Sequence, residues 1–268
     1  MKELSLEELK RIEFDILQMF DAFCKENNIK YYLAFGTLLG AIRYKKFIPW
    51  DDDVDVLVPR EDYNRLLSLF KDNEKYRLFA FEKNNNFLFP FAKLCDMSTR
   101  KEETVYPNRR VELGVEIDIF PLDSFDNDIE EAKKESKLIS KNMNRLILTK
   151  LEKLTIKNLV KRFVWRVYIC GCKMFGGGHF VRKIIKMSNN HKRDGGAYVG
   201  AKVWPIWGER GIIPARAFAD TVEVEFEGRM FPAPIGWDEY LTCLYGDYLP
   251  EPPKEKQKTH HSFKAYRL

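Results

Sequence analysis

The segment of residues 31–60 places the strongest constraint on what this chain can fold into. It begins with an aromatic run that stops at Gly36 and Thr37, continues through the apolar residues of a short helix, and turns at Pro49. Four carboxylates follow, and the run after them is apolar. This pattern predicts a strand, a glycine turn, a helix and a second strand that opens on acidic residues.

The four acidic residues at the start of the second strand are Asp51, Asp52, Asp53 and Asp55. Side chains two residues apart on a strand share a face, so Asp53 and Asp55 are predicted to point the same way, and Asp51 has the same parity. Carboxylates held this close repel one another unless a proton or a cation lies between them. Mg²⁺, a hard ion that prefers oxygen ligands, fits such a site at neutral pH. The alternative is a solvated acidic turn, which is the usual state of a charge run.

A further acidic residue, Asp118, lies within the apolar run of residues 115–123. Burying an isolated carboxylate is costly, so a buried Asp118 needs a partner. We hypothesise that it lies beside Asp53 and Asp55 and completes a metal site. The alternative is an edge strand whose polar face is solvated.

Residues near the acidic strand are candidates for binding an anion. Gly36 and Thr37 are predicted at a helix N-terminus, with Thr37 as the N-cap, where free backbone N–H groups can hold a phosphate. Arg43 or Arg60 is expected to neutralise part of the carboxylate cluster or to contact a phosphate. Lys93 interrupts an apolar run, so its side chain either extends to solvent at a sheet edge or reaches a phosphate.

Helical and strand periods alternate over most of the chain, which predicts a mixed α/β fold. The expected elements are helices at 3–28, 37–46 and 61–72, strands at 30–35, 76–82 and 88–95, a loop at 97–112, and a hairpin over 221–231. A chain of 268 residues is long enough for one large α/β domain with a helical insertion. We expect a core at 1–126, a basic helical insertion at 127–193, and a C-terminal segment at 194–268 that packs on the core.

The insertion contains a helix, at residues 156–174, that combines apolar and basic residues and has no acidic one. A basic amphipathic helix predicts contact with an anionic membrane surface or a partner, and the alternative is a core helix with one solvated basic face. A spanning helix is not expected, because every stretch of ~18 residues contains charge.

Composition indicates where the protein is located and whether it binds nucleic acid. Five scattered cysteines predict free thiols in a reducing compartment, and the charged N-terminus does not resemble a signal peptide. We therefore expect a cytoplasmic protein, with peripheral contact at the inner face of the membrane as an option. The net charge of +5 does not favour nucleic-acid binding.

The motifs of this sequence resemble those of the LicD family, within the nucleotidyltransferase superfamily. The long motif spans residues 35–63, and shorter matches follow in the family's order at 91–96, 116–123, 226–241 and 244–248. The resemblance implies a nucleotidyltransferase-like mixed sheet flanked by helices. By position, the family's functional residues correspond to Gly36, Thr37, Asp53, Asp55 and Asp118 in this sequence. The resemblance also favours a phosphate contact for Lys93.

The resemblance also implies an activity. Members of the family transfer phosphocholine to bacterial cell-surface glycans. The implied donor is CDP-choline, the product is CMP, and the acceptor is a sugar hydroxyl of a teichoic-acid or related glycan precursor, including lipid-linked ones. The implied mechanism is an in-line displacement with two Mg²⁺ ions at Asp53, Asp55 and Asp118, in which Asp118 takes the proton.

Choline is a quaternary ammonium ion, which aromatic faces hold. The candidates for such a cage are Trp50, Tyr198, Trp204 and Trp207, and the alternative is that these rings fill the edge of the core. The full set of substrate-binding candidates is Gly36, Thr37, Arg43, Trp50, Lys93, Trp204 and Trp207.

Three other functions remain open on the same core. They are transfer of another phospho-group such as ribitol phosphate, transfer of a nucleotide with release of pyrophosphate, and non-catalytic binding of a glycan or membrane by a relict site.

Overall fold

Strand β6 (Leu113–Ser124) runs through the middle of a mixed sheet in the computed structural model, which describes residues 2–103, 111–151, 158–189, 196–259 and 263–268. The strands that accompany it are β1 (Lys2–Glu3), β2 (Tyr32–Leu33), β3 (Asp55–Pro59), β4 (Tyr76–Phe79), β5 (Ala92–Glu103), β7 (Tyr198–Gly200), β8 (Ile213–Pro214) and β11 (Phe263–Arg267). The main order across the sheet is β1-β11-β5-β6-β3-β2. Only the β3–β6 pairing among these described strands is parallel, which confirms a mixed sheet.

Helices cover the sheet and form the insertion. They are α1 (Leu6–Glu26), α2 (Phe35–Tyr44), α3 (Arg60–Leu69), α4 (Ile129–Lys150), α5 (Leu159–Phe175), α6 (Gly177–Ser188) and α7 (Trp237–Tyr245). Helix α1 begins at a capping box, in which the side chains of Ser5 and Glu8 each accept a hydrogen bond from the other's backbone N–H. Helix α1 packs against β5 and β6, and its apolar stripe, which includes Ile16 and Phe20, is buried.

Strand β5 is longer than the sequence predicts. Residues after 95 were expected to end the strand and to form a loop at 97–112, but β5 continues to Glu103. That expectation was wrong because the partner of this extension, β11, comes from the far end of the chain. A polar segment can be a strand when a distant segment satisfies its backbone hydrogen bonds.

The C-terminal segment contributes to the sheet and to a separate hairpin. Strands β7 and β8 extend the sheet from β6, and β11 pairs with β5 and β1. The predicted hairpin is present as β9 (Thr221–Phe226) and β10 (Arg229–Pro234), joined at Glu227 and Gly228, both with positive φ. The division of the chain at 126 and 193 stays a prediction.

The segment predicted as a helical insertion is helical where the structure describes it, and its last two helices follow each other directly. Gly176 alone forms the junction between α5 and α6, with φ of 75°, and α6 begins at Gly177. Among the described helices, no helix is long and apolar enough to cross a membrane.

Candidate active site

Acidic residues from three parts of the chain meet at one cleft of about 1060 Å³. Its acidic lining includes Asp51, Asp53, Asp55 and Asp118. The structure therefore brings together the residues that the sequence singled out. Their roles as metal ligands and catalytic groups stay predictions.

Asp55 and Asp118 are neighbours because of strand register. The parallel pairing of β3 with β6 places Asp55 opposite Asp118. Strand β6 lies between β3 and β5, so the edge-strand interpretation of Asp118 is wrong. Burial, followed by the nearby charges of Asp53 and Asp118, raises the pKa of Asp55 well above its usual range. A cation at this point would relieve that repulsion.

Asp53 lines the cleft, but it lies before the strand that the sequence predicted it to belong to. Strand β3 begins at Asp55, so Asp53 belongs to the segment that precedes it. In that segment Asp51, Asp52 and Asp53 each offer a carboxylate oxygen, and these oxygens lie within 4.8 Å of one another. Among the described residues, these three carboxylates are close enough to share one ion. Asp53, Asp55 and Asp118, the expected set, do not form such a group. Carboxylate oxygens are the hard donors that Mg²⁺ prefers, so the residues fit that ion.

Lys93 pairs with carboxylates rather than facing the cleft. Its Nζ lies 2.7 Å from Asp118 Oδ1 and 3.0 Å from Glu116 Oε1, and Lys93 is only 5% exposed. Glu116 also accepts a hydrogen bond of 2.7 Å from Lys101 Nζ. The expected phosphate contact is therefore wrong, since the ammonium group is used within the protein. Burial raises the pKa of Asp118 and the charge of Lys93 opposes that rise.

Thr37 supports the acidic strand from inside α2. The helix begins at Phe35 with Ala34 at its N-cap, so the prediction of Thr37 as N-cap is wrong. The hydroxyl of Thr37, which is 2% exposed, instead accepts a hydrogen bond of 2.9 Å from the backbone N–H of Asp55. Thr37 therefore positions the start of β3.

Gly36 lies against Asp51 at the edge of the cleft. A Cβ at this position would be 2.6 Å from Asp51 Oδ2, which is too close, so the carboxylate would have to move. Only a glycine leaves the carboxylate of Asp51 where it is.

The two arginines near the acidic strand bond to other partners. Arg43 lines the cleft, but its guanidinium donates to the backbone carbonyls of Tyr248 and Pro250. Arg60 forms a bidentate pair of 2.6 and 2.7 Å with the buried carboxylate of Asp123. These hydrogen bonds do not join either arginine to the acidic cluster, and Arg43 holds the C-terminal segment beside the cleft. The expected contact of Arg43 with a phosphate stays a prediction.

Aromatic rings line the cleft beside the carboxylates. Trp50, Trp204 and Trp207 are among them, whereas Tyr198 lies in β7 and packs with Phe125 and its neighbours. The rings of Trp207 and Tyr245 make an edge contact at 4.8 Å between centroids. Sequence reasoning missed Phe35, Phe120 and Tyr245 as lining residues. Tyr245 lies in the motif at 244–248, and that motif was the available signal.

Glu13 of α1 is buried beside this charge network, and its burial predicts a pH-dependent stability. Glu13 is 1% exposed, and Oε2 has no hydrogen-bond partner among the described residues. Burial raises the pKa of Glu13 well above its usual value of 4.5. The folded protein therefore keeps the proton where the unfolded chain loses it, so the stabilisation is complete below pH 4.5 and is lost as pH rises through the folded pKa.

Glu13→Gln is expected to increase the free energy of unfolding at pH 7 by about 1 kcal/mol or more, because each unit of pKa shift corresponds to about 1.4 kcal/mol. The difference from wild type should vanish near pH 4, as measured by urea unfolding across that range. Glu26→Gln, at the exposed end of α1, is the control. Its free energy of unfolding should equal that of wild type both at pH 7 and near pH 4. An equal stability of Glu13→Gln and wild type at pH 7 would contradict the buried-acid interpretation.

The fold and site define an α/β protein with an acidic, aromatic-lined cleft suited to a divalent cation. Residues 28–158 match the family model described as LicD/FKTN/FKRP, nucleotidyltransferase domain. The chain is 31% identical over 277 aligned residues to the lipopolysaccharide cholinephosphotransferase LicD of Haemophilus influenzae, with 100% of both chains covered. The protein belongs to the LicD family.

Shorter similarities extend to two uncharacterized proteins. One, from Rickettsia typhi, is 40% identical over 73 residues, which are 26% of this chain and 21% of that protein. The other, from Rickettsia prowazekii, is 38% identical over 74 residues, or 28% and 25% of the two chains.

Proposed function

We propose that this protein transfers phosphocholine from CDP-choline to a sugar hydroxyl of a cell-surface glycan precursor, releasing CMP. The observation that carries the proposal is the convergence of carboxylates and indole rings in one cleft, in a chain similar over its full length to a lipopolysaccharide cholinephosphotransferase. Lipopolysaccharide precursors are the first acceptor to test, and teichoic-acid precursors are the second.

The cleft has a different surface for each part of the donor. Trp50, Trp204 and Trp207 offer aromatic faces to the trimethylammonium group, which cannot donate hydrogen bonds. Lys256 and Lys258 line the cleft from the C-terminal segment, and they replace Lys93 as candidates for contact with the donor phosphates. The donor's cationic and anionic ends thus each have a complementary group.

The acidic residues supply the groups for metal binding and proton transfer. Asp51 and Asp53, with Asp55 beside them, would hold Mg²⁺, which when bound would offset the charge of the diphosphate. Asp118 would take the proton of the acceptor hydroxyl, and burial favours this role because it raises the pKa of Asp118. Lys93 holds Oδ1 of Asp118, and Thr37 holds the backbone of Asp55.

The proposal is tested by incubating the protein with CDP-choline, Mg²⁺ and lipopolysaccharide or teichoic-acid precursors, with and without EDTA. CMP release together with choline in the glycan, both abolished by EDTA, is the expected result. Consumption of CDP-ribitol instead of CDP-choline, or release of pyrophosphate from a nucleoside triphosphate, would replace phosphocholine transfer with one of the other transfers. If no donor is consumed with any acceptor, the protein is a binding module.

Gly36→Ala is expected to lower the rate of CMP release by about 100-fold, because displacing a positioned group by about 1 Å has an effect of that size. The added Cβ would displace the carboxylate of Asp51. Gly171→Ala is the matched control, since a Cβ at Gly171 meets nothing within 4 Å. Equal rates for the two variants would show that Asp51 has no part in the reaction.

A further inference from the structure

Helix α5 presents an apolar surface to solvent. The exposed fractions of Val160, Phe163 and Met174 are 74%, 69% and 83%, and Val164 and Val167 are more than half exposed. The expected alternative, a core helix with one solvated basic face, is therefore wrong.

Five of the exposed apolar residues of α5 lie on one face, and that face points away from the protein. Residues three, four and seven positions apart share a helix face, as Val160, Phe163, Val164, Val167 and Met174 do. The two buried residues of α5, Ile169 and Cys172, lie on the opposite side of the helix. A surface helix normally turns its apolar stripe inward, so α5 has the reverse orientation.

Basic residues border this outward face. Helical geometry places Lys161 on one flank of the face and Arg166 on the other, and α5 contains no acidic residue. Arg162 and Lys173 lie on the side of the helix that turns toward the protein, and Lys173 Nζ donates a hydrogen bond of 2.8 Å to the Leu151 carbonyl. Helix α6, which packs on α4 beside α5, adds Arg182, Lys183 and Lys186, again without an acidic residue. Long basic side chains can extend from such edges to a negatively charged surface while their stems contact apolar groups.

The charges distinguish between possible occupants of the face. A second copy of the chain, docked through the same helix, would bring basic edges together and repel. An anionic bilayer surface offers acyl chains for the apolar stripe and phosphates for the basic edges. We propose that α5 lies in the interface of a membrane with anionic headgroups, with the face from Val160 to Met174 directed into the bilayer. Such contact is peripheral, because no described helix is able to span a membrane.

The test is sedimentation of the full-length protein with vesicles of phosphatidylglycerol and phosphatidylcholine, and with vesicles of phosphatidylcholine alone. We expect binding to the mixed vesicles and at least tenfold weaker binding to the neutral ones. Lys161→Gln combined with Arg166→Gln should weaken binding to the mixed vesicles by about 25-fold, since each charge near the surface contributes about fivefold. Phe163→Asp with Val167→Asp should weaken it at least tenfold.

Met230→Asp is the matched control, because Met230 is 48% exposed on β10, outside the insertion. It should bind like wild type. Failure of wild type to sediment with the mixed vesicles, or unchanged binding of the Phe163/Val167 variant, overturns the proposal. A dimer in light scattering that the Phe163/Val167 variant abolishes would assign the face to a second copy. Since the readout is binding alone, its outcome is independent of the proposed reaction.

Discussion

Asp55→Asn is expected to lower the rate of CMP release from CDP-choline by about three orders of magnitude or more, while the protein stays folded. Asp55 is the acidic residue whose backbone is fixed by Thr37 and whose strand register places it beside Asp118. Asparagine keeps the size of the side chain and removes the charge that would hold a cation. A loss of this size is typical of a group on which the reaction directly depends.

The same substitution should stabilise the protein in the absence of a cation. Because burial and like charges raise the pKa of Asp55, ionisation of Asp55 destabilises the folded protein as pH rises above its ordinary pKa. Asp55→Asn removes that cost, so its melting temperature without Mg²⁺ should equal or exceed that of wild type at pH 7. Wild type should gain melting temperature on addition of Mg²⁺, and the variant should gain less.

Asp15→Asn is the control for both measurements, because Asp15 is exposed on α1. Its rate, its melting temperature and its response to Mg²⁺ should match wild type. If Asp55→Asn keeps more than a tenth of the wild-type rate, Asp55 is not required and the proposed mechanism is wrong. If the variant is inactive but unfolded, the more conservative Asp55→Glu, which keeps the charge, separates folding from chemistry.

Lys93→Met is expected to lower the free energy of unfolding by about 3–5 kcal/mol, the usual result of removing one partner from a buried ion pair. Lys93 touches Asp118 at 2.7 Å and Glu116 at 3.0 Å, and its side chain is 6% exposed. Without the positive charge of Lys93, the adjacent carboxylates of Asp118 and Asp55 repel each other more strongly. Urea unfolding at pH 7 measures the change.

The pairing is tested by removing both partners. Lys93→Met with Asp118→Asn leaves Glu116 with its second partner, Lys101. The double variant should be more stable than the sum of the two single changes by about 1–3 kcal/mol. Lys134→Met is the matched control, since Lys134 forms an exposed pair of 2.6 Å with Glu131. Such a pair contributes only about 0–1 kcal/mol. Additive effects of Lys93→Met and Asp118→Asn would show that the two side chains are not coupled.

Several parts of this protein were predictable from local sequence. The capping box at Ser5 and Glu8 and the apolar period of α1 predicted that helix, and the β9–β10 hairpin followed from alternation and Gly228. Element bounds were less predictable: α2 begins two residues before the predicted start, since its N-terminus is set by packing around Phe35 and not by a capping side chain. Only a partner strand could show that β5 continues to Glu103.

The sequence by itself determined which chemistry is present: a run of aspartates before an apolar strand, one more aspartate within a second strand, and a basic helix with an apolar stripe. Tertiary structure alone decided which groups meet. Lys93 finds Asp118 through the register of β5 with β6, and Arg43 reaches a carbonyl 205 residues away in the C-terminal segment. The direction in which α5 turns its apolar face was likewise set by packing on α4. Local patterns arise from backbone geometry and periodicity, whereas the partner of a charge depends on how distant segments are placed.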